Sequence, residues 1–239
     1  MPLGKLAFEI DETPWAGPPL GLIVLSTDET LEMEMRRYYA THPSPIYVSR
    51  IRSAAEVTHD NLAAMQADLQ NAASLLPEGL RYPVVGYGCT SASAVIGSTR
   101  VQEMIQRGCR ADMVTNPLRA TLAHARHLGI NRLALLSPYI EEVNTPLRAA
   151  FAAEGISTDV FGTFEEREEH KVARISASSL RDAAISLGRD SSVDGVFMSC
   201  TNLRTLDVIP EIEKAIEKPV FSSNRSLAWH MMECAKTPR

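Results

Sequence analysis

Residues 86–93 read GYGCTSAS, and residues 199–205 read SCTNLRT. Each places a Cys-Thr pair just after a short apolar run, YPVVGYG before Cys89 and DGVFM before Ser199-Cys200. Runs of that length bounded by turn residues predict buried strands, and the residues after Cys89 have helical character. The same reactive dipeptide thus ends two similar strands about half a chain apart.

Working outward, the same alternation continues on both sides. GLIVLS (21–26), IYVSRI (46–51) and YPVVGYG (82–88) predict strands in the first half, and RLALLSPY (132–139), STDVFGTF (157–164), DGVFMS (194–199) and PVFSS (219–223) in the second. Between them lie helical stretches. DETLEMEMRRYYA (28–40) starts acidic and ends basic, as a helix dipole favours. The spacing of Val57, Leu62, Met65 and Leu69 predicts one helix within 54–76, and 91–108 predicts another. Asn116-Pro117 forms a cap with proline at the first helical position, and Gly129 and Gly155 close two helices. Further helices are expected over 175–188, 209–217 and 226–235.

Strands alternating with helices predict an α/β protein with mostly parallel sheets flanked by helices. The weak internal repeat predicts two pseudo-symmetric lobes with the active site in the cleft between them. The expected division is lobe 1 over 1–115, lobe 2 over 116–216, and 217–239 returning to lobe 1, with 113–118 (MVTNPL) as the first crossing. Ligands of such sheets bind beyond the carboxyl ends of the strands. Both Cys-Thr pairs lie at such ends, as do Ser26-Thr27-Asp28 and Ser137-Pro138-Tyr139.

The chain has 239 residues, 45% of them apolar, so an ordinary core can form. A formal charge of −5 argues against a nucleic-acid partner. No stretch approaches the length of a membrane span, and the N-terminus does not read as a secretory signal. Four cysteines without CxxC or metal-like spacing suggest reduced thiols in a cytoplasmic protein. No metal and no cofactor are expected.

A cysteine at a helix start receives backbone N–H groups and the dipole, which favour thiolate. The hydroxyls of Thr90 and Ser91, and Thr201 and Asn202 beside Cys200, can donate to a carboxylate. Arg204 follows closely, and its charge would also lower the Cys200 thiol pKa. Two facing lobes would present one thiol to each side of a small anionic substrate. One thiol could move a proton on one face while the other works opposite, or one could attack carbon while the other donates a proton. The competing interpretations are two buried core cysteines, or a binding cleft without turnover.

GYGCTSAS and SCTNLRTLDVIPEIE resemble the two cysteine motifs of the aspartate/glutamate racemase superfamily, in the branch of maleate cis-trans isomerases and arylmalonate decarboxylases. SPYIEEVN (137–144) resembles that branch's tyrosine turn, and GLIVLSTDET its first strand and loop. The resemblance spans residues 21 to about 230. It implies a cofactor-independent isomerase or racemase acting on a small carboxylic acid, a dicarboxylate or an amino-acid derivative. Cys89 and Cys200 would be catalytic. Thr90, Ser91 and Tyr139 would bind one carboxylate and stabilise an enediolate, and Thr201 and Asn202 would hold the other end. A homodimer or higher homo-oligomer is expected. The decarboxylases resemble the chain less at the first motif, where glycine replaces the cysteine, so decarboxylation is the alternative activity.

The sequence departs from the isomerase pattern twice. Asp28 stands where those enzymes have asparagine, and a carboxylate there would repel a substrate carboxylate. The stretch EEREEHKVARI carries His170 near the place of another asparagine. STDET and SLAWHM resemble the ectoine-utilisation racemase-like subgroup, which implies an amine- or amide-bearing substrate. Elsewhere, His124 and His127 read as a helix face rather than a metal pair, and Cys109 and Cys234 as structural. EEREEH (165–170) reads as a solvated charge run, with a substrate-closing loop as the alternative, and Trp229 with Met231-Met232 as core or dimer contact.

Overall fold

The computed structural model describes residues 4, 6–11 and 14–236. Two four-stranded parallel sheets form the frame. The first has the order β2-β1-β3-β4, built from β1 (Leu20–Leu25), β2 (Ile46–Ile51), β3 (Arg81–Gly88) and β4 (Arg110–Thr115). The second has the order β6-β5-β7-β8, from β5 (Leu133–Tyr139), β6 (Phe161–Glu166), β7 (Gly195–Met198) and β8 (Val220–Ser222). The orders are identical when β1–β4 are laid on β5–β8. Cys89 follows β3 and Cys200 follows β7, so the two thiols occupy equivalent positions of the repeat. Asp28 beyond β1 and Tyr139 at the end of β5 are equivalent in the same sense.

The inner strands β1, β5 and β7 are buried along their length, as double coverage by helices demands. α1 (Leu31–Tyr38) and α11 (Ser223–Lys236) close one face of the first sheet over Leu22, Val24 and Val84. α6 (Pro117–His127) and α7 (Glu141–Ala153) close one face of the second over Leu135 and Phe197. The remaining faces share a continuous core that runs from Ile23 and Tyr87 to Leu136 and Met198. Helices α2 (His59–Ala64), α3 (Leu69–Ser74), α4 (Thr90–Ile96), α5 (Ser98–Gly108), α8 (Glu169–Val172), α9 (Ala177–Gly188) and α10 (Ile209–Ile216) complete the layers.

Several expected elements differ. The helix expected within 54–76 starts only at His59, where Thr58 caps it, and is interrupted by a 3₁₀ turn over Met65–Asp68. Residues 55–57 instead cross to the second lobe, with Val57 N donating to Arg167 O (3.0 Å) and Ala55 O accepting from Glu169 N (3.1 Å). The helix expected over 91–108 breaks at Gly97, whose φ of 89° few other residues adopt. β4 was not expected. It is an edge strand whose Arg110 and Asp112 hide the apolar pattern, and Asp112 pairs with Arg81 at 2.8 Å. The return segment also begins later than residue 217. β8 pairs with β7, so only α11 goes back against the first sheet. Among the described residues no helix is long and apolar enough to cross a membrane.

Candidate active site

Each cysteine is placed by a short, crowded turn. Cys89 is the N-cap of α4, and its Sγ accepts from Ala92 N at 3.4 Å. A Cβ on the preceding Gly88 would lie 2.2 Å from Leu31 Cδ2 and 3.2 Å from Ile23 O, so a side chain there would force the buried Leu31 to move. Cys200 has a φ of 133°, a conformation L-residues rarely hold, and such strain concentrates at functional sites. The surroundings hold it there. Ser223 Oγ accepts from Cys200 N (3.0 Å), and Cys200 Sγ accepts from Asn202 N (3.2 Å). Ser223 Oγ is also 2.7 Å from Thr90 Oγ1, so one hydroxyl links both cysteine turns.

Cys89, Thr90, Ser91, Tyr139, Cys200 and Thr201 line one tight cavity of about 10 Å³, walled on its apolar side by Leu25, Val57 and Leu62. Glu169 completes the lining. The polar lining residues are all buried, which secludes a bound molecule from water. That free space is about that of one water molecule, so a larger bound molecule requires the lining to open.

Glu169 is the residue the sequence reading missed. It lies inside the EEREEH run but is turned inward at the start of α8, 5% exposed. Tyr139 Oη donates to its Oε1 at 2.6 Å, and Asn202 Nδ2 donates to its Oε2 at 3.0 Å. The departure from the isomerase pattern in this stretch lies at Glu169 and not at His170. That imidazole is exposed and sits 3.6 Å from Glu168. The signal that separates the two is spacing: Glu169 and Val172 face inward together, and His170 does not.

Asp28 and Asn202, both expected at the substrate, do not line the cavity. Asp28 Oδ1 accepts from Thr30 N (2.8 Å) and Leu31 N (2.7 Å), so it fastens the start of α1. Its buried Oδ2 has no hydrogen-bond partner, since the neighbouring Thr201 hydroxyl donates to Gly88 O at 3.2 Å. Asn202 spends its amide on Glu169 and on Glu29 N, whose N–H donates to Oδ1 at 2.9 Å. It therefore positions Glu169 and the β1 loop against each other. Arg204, considered as a cation near Cys200, instead donates to Ile175 O at 3.1 Å.

Burial dominates the ionisation of the site. It pushes the Cys89 thiol up to about 12, and the Glu169 and Asp28 charges add to the effect. Burial also holds Cys200 well above the usual thiol range, again with Glu169 adding to it. The N–H donors at both sulfurs oppose this but do not win, contrary to the thiolate expected from the helix start alone. Burial thus disfavours loss of either thiol proton to water. Burial likewise raises Glu169 and Asp28 above the normal carboxyl range.

The lobes are clamped around this cavity. Glu34 on α1 is buried, and it accepts from Thr205 N (2.7 Å), Leu206 N (2.9 Å) and Asn224 Nδ2 (2.8 Å). That fixes the loop after Cys200. Away from the site, His124 stacks on Trp229 at 4.4 Å, and His127 lies 5.4 Å from the same ring. Both histidines join α6 to α11, and burial lowers His124 to about 4. Cys109 and Cys234 are half-buried outside the cavity.

Fold and site together define a two-lobed α/β protein with one cysteine from each lobe at a shared closed cavity. The chain belongs to the arylmalonate decarboxylase family, whose family model matches residues 21–239. It is 26% identical to a maleate isomerase of Nocardia farcinica over 234 residues, 92% of this chain and 90% of that protein. It is 34% identical to an arylmalonate decarboxylase of Bordetella bronchiseptica over 119 residues, 48% of this chain and 49% of that protein. The solved structure of the Nocardia farcinica maleate cis-trans isomerase bound to TRIS superposes with a TM-score of 0.84 at 25% identity, covering 92% and 93% of the two chains.

Proposed function

We propose that the protein is a cofactor-independent, two-cysteine isomerase or racemase acting on a small carboxylic acid. The observation that carries this reading is the placement of Cys89 and Cys200 after equivalent strands and on one buried cavity. One sulfur, once deprotonated, removes a proton from the substrate carbon or adds to it, and the thiol on the other lobe supplies a proton. The charge that moves onto the carboxylate is held by the hydroxyls of Thr90 and Ser91, since Tyr139 gives its one O–H to Glu169. Preorganised donors of this kind act strongly because they are shielded from water. Kinship with both maleate isomerases and an arylmalonate decarboxylase supports chemistry next to a carboxylate. Retention of a cysteine in both motifs favours isomerisation or racemisation over decarboxylation.

The cavity lining contains one acid, Glu169, and no Lys or Arg. Asp28 lies close enough that its charge bears on both thiols and on Glu169. Two carboxylates in a desolvated space select against a plain dicarboxylate and favour an acid that carries a neutral or cationic second group. Incubating the protein in heavy water with a panel of small dicarboxylates, amino acids and their derivatives tests the reading. Deuterium at a substrate carbon, or a new isomer, is the expected result. A protein that binds a panel member while producing neither is a binding protein, and the reading fails.

A further inference from the structure

We infer that Glu169 is the proton store for Cys200, reached through the hydroxyl of Tyr139. Cys200 Sγ lies 3.0 Å from Tyr139 Oη, and Tyr139 Oη lies 2.6 Å from Glu169 Oε1. The three groups form one unbranched chain, and all three residues are buried on the same cavity. Asn202 holds the far oxygen of Glu169 at 3.0 Å and, through its own N–H, the sulfur at 3.2 Å, so both ends are fixed by one residue.

The step balances without any outside group. The Cys200 S–H bond breaks as its proton passes to Tyr139 Oη. The Tyr139 O–H bond breaks as that proton passes to Glu169 Oε1. Cys200 becomes thiolate, Glu169 becomes a neutral acid, and Tyr139 ends as it began. The charge of the site is unchanged, so no ion is created in a desolvated space. That answers the difficulty the buried thiols pose, because a proton sent to bulk water would leave an uncompensated charge behind. The other titratable groups facing the chain are Asp28 beyond β1 and Cys89 before α4.

This inference deepens the two-cysteine reading and rests on it, but its test needs no substrate, so the two fail separately. Alkylation of Cys200 by iodoacetamide is followed by peptide mass spectrometry as a function of pH. A thiol that loses its proton to water reacts about tenfold faster per pH unit below its pKa. A thiolate made by internal transfer to Glu169 has a fraction independent of pH between the two ionisations. The native protein is therefore expected to give a flat rate at Cys200 from about pH 7 to about pH 9. Glu169→Gln and Tyr139→Phe should each restore the tenfold slope and react more slowly than native near pH 7.

The alternative role for Glu169 predicts the opposite sign. If it acts only as a nearby negative charge, it holds the thiol protonated, and Glu169→Gln will accelerate alkylation. A native rate that climbs tenfold per unit overturns the proposal without recourse to any variant. So does a Cys200 rate near pH 7 that is no slower in Glu169→Gln than in the native protein. Tyr139→Phe keeps the ring and the carboxylate, and it serves if Glu169→Gln does not fold.

Discussion

Thr201 donates its hydroxyl to the carbonyl of Gly88 at 3.2 Å. The residue after one cysteine is thereby fastened to the residue before the other. Ser223 adds a second stitch between Thr90 and the Cys200 backbone. The relative position of the two thiols is thus set by direct bonds between the cysteine turns as well as by the packing of the lobes.

Ser223→Ala tests how much that position matters. The substitution leaves the Cys200 N–H without its acceptor at a backbone φ of 133°. The expected cost is about 1–3 kcal/mol in urea unfolding, that of a buried unsatisfied donor. Turnover should fall by about tenfold or more as the turn relaxes, because small misplacements of reacting groups are costly. Native turnover in a folded Ser223→Ala protein would show that the stitch does not position Cys200.

Asp28→Asn tests the charge argument. Asp28 sits behind the cavity wall with one oxygen unpaired, and burial raises its pKa. Neutral asparagine keeps an acceptor for Thr30 N and Leu31 N and removes the repulsion. Maleate, a plain dicarboxylate, should be turned over poorly by the native protein and better by Asp28→Asn. Efficient native turnover of maleate, unimproved by the substitution, removes the argument.

The Glu34 clamp makes a prediction about stability. Burial raises its folded pKa above the unfolded value, so the folded state binds the proton more tightly. Above the unfolded pKa, ionised Glu34 costs stability, and the cost grows as pH rises to the folded pKa. It vanishes at pH below the unfolded value. Glu34→Gln cannot titrate. In paired thermal melts its destabilisation relative to native should therefore be smaller at about pH 7 than at about pH 4.5. A destabilisation that grows with pH would mean that the hydrogen bonds, not burial, dominate at Glu34.

The architecture and the two thiols were legible because they rest on local pattern. Strand runs such as IYVSRI, the Asn116-Pro117 cap and the repeated Cys-Thr turns carry their structure within a few residues. β4 was hidden because an edge strand keeps charges on its open side. Glu169 was hidden for a different reason. Nothing in EEREEH says which acid turns inward. That depends on residues 55–57 crossing from the other lobe and on Asn202, which is 33 positions away in sequence. Arg204 misled for the converse reason, since a cation adjacent in sequence points to a carbonyl on another loop. The thiolate expected at the helix start failed because burial is a property of the assembled cavity and outweighs one N–H donor.

The central claim is that both thiols work on one substrate carbon. Cys89→Ser and Cys200→Ser, each assayed on whichever acid the heavy-water panel identifies, test it most directly. Each substitution should lower kcat by at least about 100-fold, the low end for a positioned acid or base, while substrate binding persists on the remaining hydroxyls. Loss with only one of the two variants would indicate single-cysteine chemistry of the decarboxylase kind. Full activity in both would contradict the account and leave the cavity as a binding site.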